Sequence, residues 1–153
     1  MGGNFGGEWR IVKKDKKQEL MQNHIVDYEE AKALRRLGFQ WPTLAYYDVD
    51  GQLQNADSAE LVLKDYNAPK PTRGRGARCY SAPTLSEVQE WLRCKRHLEV
   101  LVYRDSFFGE KVSYYCRITR LKDGLSRDTE AVKTYEKALA YGIRQAISLL
   151  KKK

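Results

Sequence analysis

Histidines and cysteines are scarce in this sequence, and long apolar runs are missing. Its 153 residues include 2 histidines and 3 cysteines. The cysteines, Cys79, Cys94 and Cys116, are odd in number and lack the spacing of metal ligands, so we expect neither a disulfide framework nor a zinc site. No stretch approaches the about 18 apolar residues of a membrane span, and the first residues do not form a signal-peptide pattern. These features predict a soluble protein of the cytoplasm that does not associate with membranes.

The motifs of the common catalytic sites are also missing. There is no GxxxxGK[ST] or GxGxxG phosphate loop, no GxSxG or HExxH, and no zinc-deaminase signature. Two histidines offer little general acid–base chemistry. The carboxylate pairs Glu29/Glu30 and Asp48/Asp50 are explained by helix capping and by a turn. The sequence therefore predicts a protein that is not an enzyme and that needs no cofactor and no metal.

Positive charge is abundant and unevenly distributed along the chain. The formal net charge is +8 at pH 7. Residues 1–67 hold 9 basic and 11 acidic side chains, a net charge of −2, whereas residues 68–153 hold 19 and 9, a net charge of +10. This asymmetry indicates an anionic partner for the C-terminal half, such as nucleic acid or another polyanion. The alternative is a charge that only keeps the protein in solution.

The segment of residues 68–80 concentrates cations among prolines and glycines. Its basic residues are Lys70, Arg73, Arg75 and Arg78. Because the arginine fork can bind phosphate through two hydrogen bonds, this segment is a candidate contact to a phosphate backbone. The alternative is a charged linker between two packed parts. We accordingly divide the chain into an N-terminal helix–hairpin subdomain with a glycine-rich, flexible start (1–67), a basic linker (68–80) and a C-terminal subdomain (81–153).

Short local patterns predict the elements of both parts. In "DYEEAKALRRLGF", Asp27 and Glu30 have the spacing of a capping box, and "TLAYYDVDGQLQ" has the pattern of a hairpin. Thr84 and Glu87 repeat the capping box before "LSEVQEWLRCK". The segments "HLEVLVYR" and "KVSYYCRITRL" alternate as two strands, and a short edge strand is predicted after them. In the second of the two, the inward-facing residues are predicted to be Val112, Tyr114, Cys116 and Ile118.

The last predicted helix, "TYEKALAYGIRQAISLL", completes an α-β-β-(β)-α order in the C-terminal half. We expect its buried stripe to include Gly142, whose missing side chain would allow close approach to the sheet. The other predicted members of the stripe are Tyr135, Ala138, Leu139, Ala146, Leu149 and Leu150. The fold class predicted from these elements is α+β, with a small antiparallel sheet covered by helices.

Two groups of aromatic residues are candidate contact sites. Strand alternation places Tyr103, Tyr115 and Arg117 on the outward face of the sheet, and such a surface can stack the bases of a single strand. The alternative is that the first part of the chain covers this face. Phe107 and Phe108 lie at a predicted hairpin tip and form a candidate protein interface, unless one ring folds back into the core.

Several segments together resemble a known group of proteins. "YSAPTLSEVQEWLR", "KVSYYCRI" and "TYEKALAYGIRQAISLL" resemble a module of small uncharacterised proteins of Bacteroidetes, their phages and integrative elements. "DYEEAKALRRLGF" and "AYYDVDGQL" are similar to its companion N-terminal module. The resemblance covers about residues 25–50 and 80–150. It implies a phage or mobile-element accessory protein without catalytic residues, of the kind that acts by binding and can block host defence.

Two functions are compatible with these observations. The first is non-catalytic binding of nucleic acid or another phosphate-rich partner, with affinity that falls steeply as salt rises. Its candidate residues are Lys70, Arg73, Arg75, Arg78, Tyr103, Tyr115 and Arg117. The second is a protein-interaction module that inhibits a host defence protein or serves phage assembly. It would use an apolar patch that includes Phe107 and Phe108 and would depend weakly on salt.

Overall fold

The computed structural model describes residues 24–55, 62–68, 78–105 and 111–151. In these ranges the chain has the predicted α+β architecture, with three helices and two antiparallel three-stranded sheets. Of the candidate residues, five lie outside the described ranges: Lys70, Arg73, Arg75, Phe107 and Phe108. Within those same ranges, no helix is both long enough and apolar enough to cross a bilayer.

The first sheet combines residues from both sides of the basic segment. Helix α1 (Tyr28–Arg36) is followed by strands β1 (Ala45–Tyr47) and β2 (Leu53–Gln54), which form the predicted hairpin. The predicted capping box precedes α1, where the backbone N–H of Glu30 donates to Asp27 Oδ1 at 2.7 Å. Strand β3 (Tyr80–Ala82) pairs with the free side of β1, which gives the order β2-β1-β3. The first sheet therefore includes Tyr80, the last residue of the basic segment, and the two residues that follow it.

The second sheet and its helices follow the predicted order. Helix α2 (Leu85–Arg96) leads into strands β4 (Leu98–Asp105), β5 (Ser113–Arg120) and β6 (Ser126–Asp128), and helix α3 (Tyr135–Lys151) ends the described chain. The strands are antiparallel in the order β4-β5-β6. Thr84 and Glu87 form the predicted capping box before α2. The predicted edge strand is present as β6.

One apolar core joins the two parts of the chain. Phe39, which follows α1, is fully buried and packs edge-on against Trp91 of α2 with ring centroids 5.4 Å apart. Helix α3 packs on β4 and β5 and also contacts α1. At Gly142 a Cβ atom would overlap Cys116 Sγ and lie 2.9 Å from Val100 Cγ1. The predicted close approach of α3 to the sheet is therefore confirmed.

Two residues expected to point into the core are exposed instead. Tyr135 was predicted on the buried stripe of α3, but it is the first residue of the helix and only its ring edge meets Tyr114, with centroids 6.2 Å apart. Val112 was predicted to face inward, but it precedes β5 and is also exposed. Both predictions were wrong because the residues stand at element ends, where fewer neighbouring elements cover a side chain.

Candidate functional site

The antiparallel register of β4 and β5 brings three predicted site residues together. Tyr103 lies opposite Tyr115, and their rings stack with centroids 5.5 Å apart and planes inclined by 17°. The Arg117 guanidinium lies 5.2 Å from the Tyr103 centroid and 5.9 Å from the Tyr115 centroid. Tyr103 is 37% exposed and the neighbouring Leu101 is also exposed. We call the surface formed by Leu101, Tyr103, Tyr115, Arg117 and Asp128 the tyrosine face.

Arg117 of the tyrosine face is already hydrogen-bonded to the carboxylate of Asp128. Arg117 donates through Nε to Asp128 Oδ1 at 2.7 Å and through Nη2 to Asp128 Oδ2 at 3.1 Å. These hydrogen bonds hold the pKa of the Asp128 carboxyl below its ordinary value and raise the pKa of Arg117. Asp128 therefore occupies the side of the Arg117 fork formed by Nε and Nη2 and compensates its charge, which makes Arg117 a weaker phosphate ligand.

The other charged strand residues described on this side of the sheet are negative. Alternation along β4 directs Glu99 and Asp105 to the same side as Tyr103. Together with Asp128, they give the described strand residues of this side three carboxylates and one cation, Arg117. A phosphate backbone lying here would be repelled, whereas an apolar or aromatic group would be accepted.

A second candidate surface lies between α3 and the segment that precedes it. It is a cavity of about 520 Å³ with an exposed tyrosine ring, Tyr141, which is 46% accessible to solvent. None of the described residues that line it is acidic. The lining, which we call the α3 groove, consists of Val132, Lys133, Lys137, Ala140, Tyr141 and Arg144.

The α3 groove has two walls, one formed by a side of α3 and the other by a residue that is hydrogen-bonded to strand β5. Lys137, Tyr141 and Arg144 are four and three residues apart, so they follow one another along one side of α3. The opposite side of the helix is buried against the sheet around Gly142. Val132 forms the other wall, because it exchanges backbone hydrogen bonds of 2.7 and 2.8 Å with Tyr114 of β5.

A smaller cavity adjoins the α3 groove. It measures about 300 Å³, and Val132 and Tyr141 line both spaces. We call this space the β6 cavity, and its described lining combines charged and polar side chains with apolar ones. The lining residues are Ile118, Arg127, Asp128, Thr129, Glu130, Val132, Tyr141 and Gln145.

Arg144 connects the α3 groove to a buried carboxyl of α1. Its Nη2 lies 3.6 Å from Asp27 Oδ2 and 3.8 Å from Glu30 Oε1. Glu30 is only 9% exposed, and its Oε2 accepts no hydrogen bond from the described part of the chain. The pKa of Glu30 is raised to about 7, chiefly by burial and also by the nearby Asp27, while Arg144 lowers it. Near neutral pH, Glu30 is therefore only partly ionised, and Asp27 is the closer carboxylate to Arg144.

Sequence reasoning predicted the tyrosine face and missed the α3 groove. The signal for the groove was the spacing of Lys137, Tyr141 and Arg144 on the polar side of the last helix. Arg78, the one cation of the basic segment within the described residues, is exposed beside β3.

The described side chains provide no metal centre, and similarity to known proteins assigns no site. No group of three or more His, Cys, Asp or Glu residues in the described ranges could hold a metal ion. No protein-family model, curated protein or solved structure shows significant similarity to the chain. The resemblance to mobile-element proteins therefore stays a prediction.

Proposed function

We propose that this protein is a non-catalytic binder of a phosphate-rich partner, in the first place nucleic acid, and that the α3 groove is its contact surface. The observation that carries the proposal is the lining of the groove, where Lys133, Lys137 and Arg144 surround the exposed ring of Tyr141. As an accessory protein of a phage or mobile element, it would act in the cytoplasm, a reducing compartment that fits its odd number of cysteines.

The length of the cationic stripe suits a nucleic-acid strand. Lys137 and Arg144 are separated by seven residues of α3, which is about 10 Å along the helix axis. One strand of a duplex has about one phosphate per 3.4 Å of helix axis, so this distance corresponds to roughly three phosphates of such a strand. The tyrosine face is a poorer surface for phosphates, because Asp128 already occupies the fork of Arg117.

The experiment is a titration of labelled single and double strands, of both DNA and RNA, by fluorescence anisotropy. With three phosphate contacts, single-strand affinity should fall about 20-fold between 50 and 200 mM salt. The variant Lys133→Ala/Lys137→Ala removes two contacts and should lower affinity roughly 60-fold at 50 mM salt and roughly 10-fold at 200 mM. Lys122→Ala/Lys151→Ala removes the same charge from exposed positions outside the groove and is the matched control.

A separate variant tests the basic segment. Arg73→Ala/Arg75→Ala/Arg78→Ala should reduce salt-sensitive binding further if this segment also contacts phosphates.

Two outcomes would contradict the proposal. Equal losses of affinity in the groove variant and in its control would contradict the α3 groove as the contact surface. Absence of binding to every strand at low salt would contradict the proposed function itself.

The tyrosine face supports a second candidate function, protein binding. Leu101 and Tyr103 are exposed side by side, next to carboxylates that disfavour phosphates. Exposed aromatic and apolar residues are typical of protein interfaces, so this face would serve an inhibitor of a host defence protein or a phage assembly factor. Such a complex should survive 200 mM salt, be lost in Leu101→Ser/Tyr103→Ser, and be kept by Lys133→Ala/Lys137→Ala.

A further inference from the structure

The two adjoining cavities differ in chemistry in a way that indicates the class of ligand. We infer that the α3 groove and the β6 cavity together take an unpaired nucleoside phosphate, either free or as one unit of a single strand. The phosphate lies against the lysines, and the base lies against Tyr141 and reaches the β6 cavity. This inference rests on the proposed function and goes further, because phosphate binding alone requires no base.

The charges that line the two cavities determine which cavity takes the phosphate of such a ligand and which takes its base. The described lining of the α3 groove contributes three cations and no acid, whereas that of the β6 cavity combines Arg127 with Asp128 and Glu130, and Asp128 is already paired with Arg117. Phosphate is therefore attracted more strongly to the first space than to the second. The Glu130 carboxylate and the Gln145 amide instead suit the edge of a base, because they can accept hydrogen bonds from its amino and ring N–H groups.

Tyr141 lies where a base would have to stack. Its ring lines both cavities, is 46% exposed, and has the Arg144 guanidinium 6.0 Å from its centroid. Every nucleobase has an aromatic face, so an exposed ring beside cations can hold a base of any sequence. The combined spaces of about 520 and 300 Å³ are in the range of small-molecule sites.

A paired base could not use this arrangement. In a duplex both faces of each base are covered by neighbouring base pairs, so Tyr141 could not stack on one without unstacking it. The phosphates of a duplex could contact the lysines, but its bases could not stack on Tyr141. The structure thus favours single strands over duplexes.

The test compares three labelled ligands with the same number of phosphates, each of about 12 nucleotides, within the site sizes of single-strand binders. They are a single strand, its abasic counterpart and the phosphate-matched duplex. The wild-type protein should bind the single strand about tenfold or more tightly than the abasic strand. Tyr141→Leu should lower the affinity for the single strand to that for the abasic strand and leave abasic binding unchanged. Tyr141→Phe, which keeps the ring, should behave as wild type.

Competition distinguishes the two sources of the ligand. If adenosine monophosphate displaces the single strand and ribose 5-phosphate does not, a free nucleotide is sufficient to occupy the site. Displacement by neither, with the preference over the abasic strand retained, would identify a unit of a strand.

The outcomes separate the inference from the proposed function. Equal wild-type affinity for the single strand and the abasic strand would overturn the inference and leave phosphate binding intact. Absence of binding to all three ligands at low salt would overturn both. The comparison of strands uses the unmodified protein, so it is decisive even if a variant at Tyr141 fails to fold.

Discussion

The two faces of the second sheet are formed by alternate residues of the same strands, but one face is buried and the other is open. On the covered face Val100, Cys116 and Ile118 are buried under α3. On the open face Tyr103 stacks on Tyr115 and stays exposed. Helix α3 repeats this division, since one side is buried and the other carries the cations of the α3 groove. The buried apolar packing and the candidate contact surfaces thus lie on opposite sides of the same elements.

The largest effect is expected where the covered face meets α3. In Gly142→Leu, the new side chain would overlap Cys116 Sγ and crowd Val100 Cγ1, so the free energy of unfolding should fall by more than about 3 kcal/mol. Urea denaturation followed by circular dichroism measures this change. Gln145→Leu, at an exposed position of the same helix, is the control and should change stability by less than about 1 kcal/mol. Similar losses in both variants would remove the distinction between the two sides of α3.

A pH-dependent effect is expected at the buried Glu30 carboxyl of α1, which lies beside Arg144 of α3. Its pKa is about 7 in the folded protein, against an ordinary value of 4.5. As pH rises between these values the unfolded chain loses the proton first, so the free energy of unfolding falls, by about 3 kcal/mol once the pH exceeds 7. Glu30→Gln keeps the capping box and removes this titration.

We therefore expect Glu30→Gln to be more stable than wild type by about 2–3 kcal/mol at about pH 8, and nearly equal to it at about pH 4.5. Urea denaturation at both pH values provides the measurement. Glu29→Gln, at an exposed neighbouring position, should show no such dependence. A stability difference for Glu30→Gln that is the same at both pH values would show that burial does not perturb this carboxyl.

The smallest effect is expected on the open face. Tyr103→Ala removes the stacked ring pair and little buried area, so we expect a loss of about 0.5–1 kcal/mol in the free energy of unfolding. Thermal denaturation is sufficient to measure it. A loss as large as that of Gly142→Leu would mean that the tyrosine face is part of the core and is not available to a partner.

Patterns within a few residues predicted most of the secondary structure. The capping boxes at Asp27 and Thr84 involve partners three residues away, and the two long strands follow from alternation. Strand β3 was missed because Tyr80 pairs with Tyr47, a residue 33 positions earlier in the chain. Local patterns do not specify which distant strand supplies a backbone partner.

The tyrosine face could be predicted from local patterns and the α3 groove could not, because the groove depends on contacts between distant segments. Tyr103, Tyr115 and Arg117 belong to two consecutive antiparallel strands, so alternation was enough to bring them together. The groove requires Val132 to be held beside Tyr114 while α3 lies across the sheet, and neither condition is visible in a local pattern.

By itself, the sequence determined the fold class, the helix starts, the paired strands and the excess of positive charge in the C-terminal half, because these depend on neighbouring residues and on composition. Only the tertiary structure decided which cations are available to a ligand. The pairing of β6 with β5 places Asp128 against Arg117 and occupies its fork. The packing of α3 on the sheet leaves Lys137 and Arg144 facing a cavity. Charge is a property of composition, but access to it depends on contacts between distant segments.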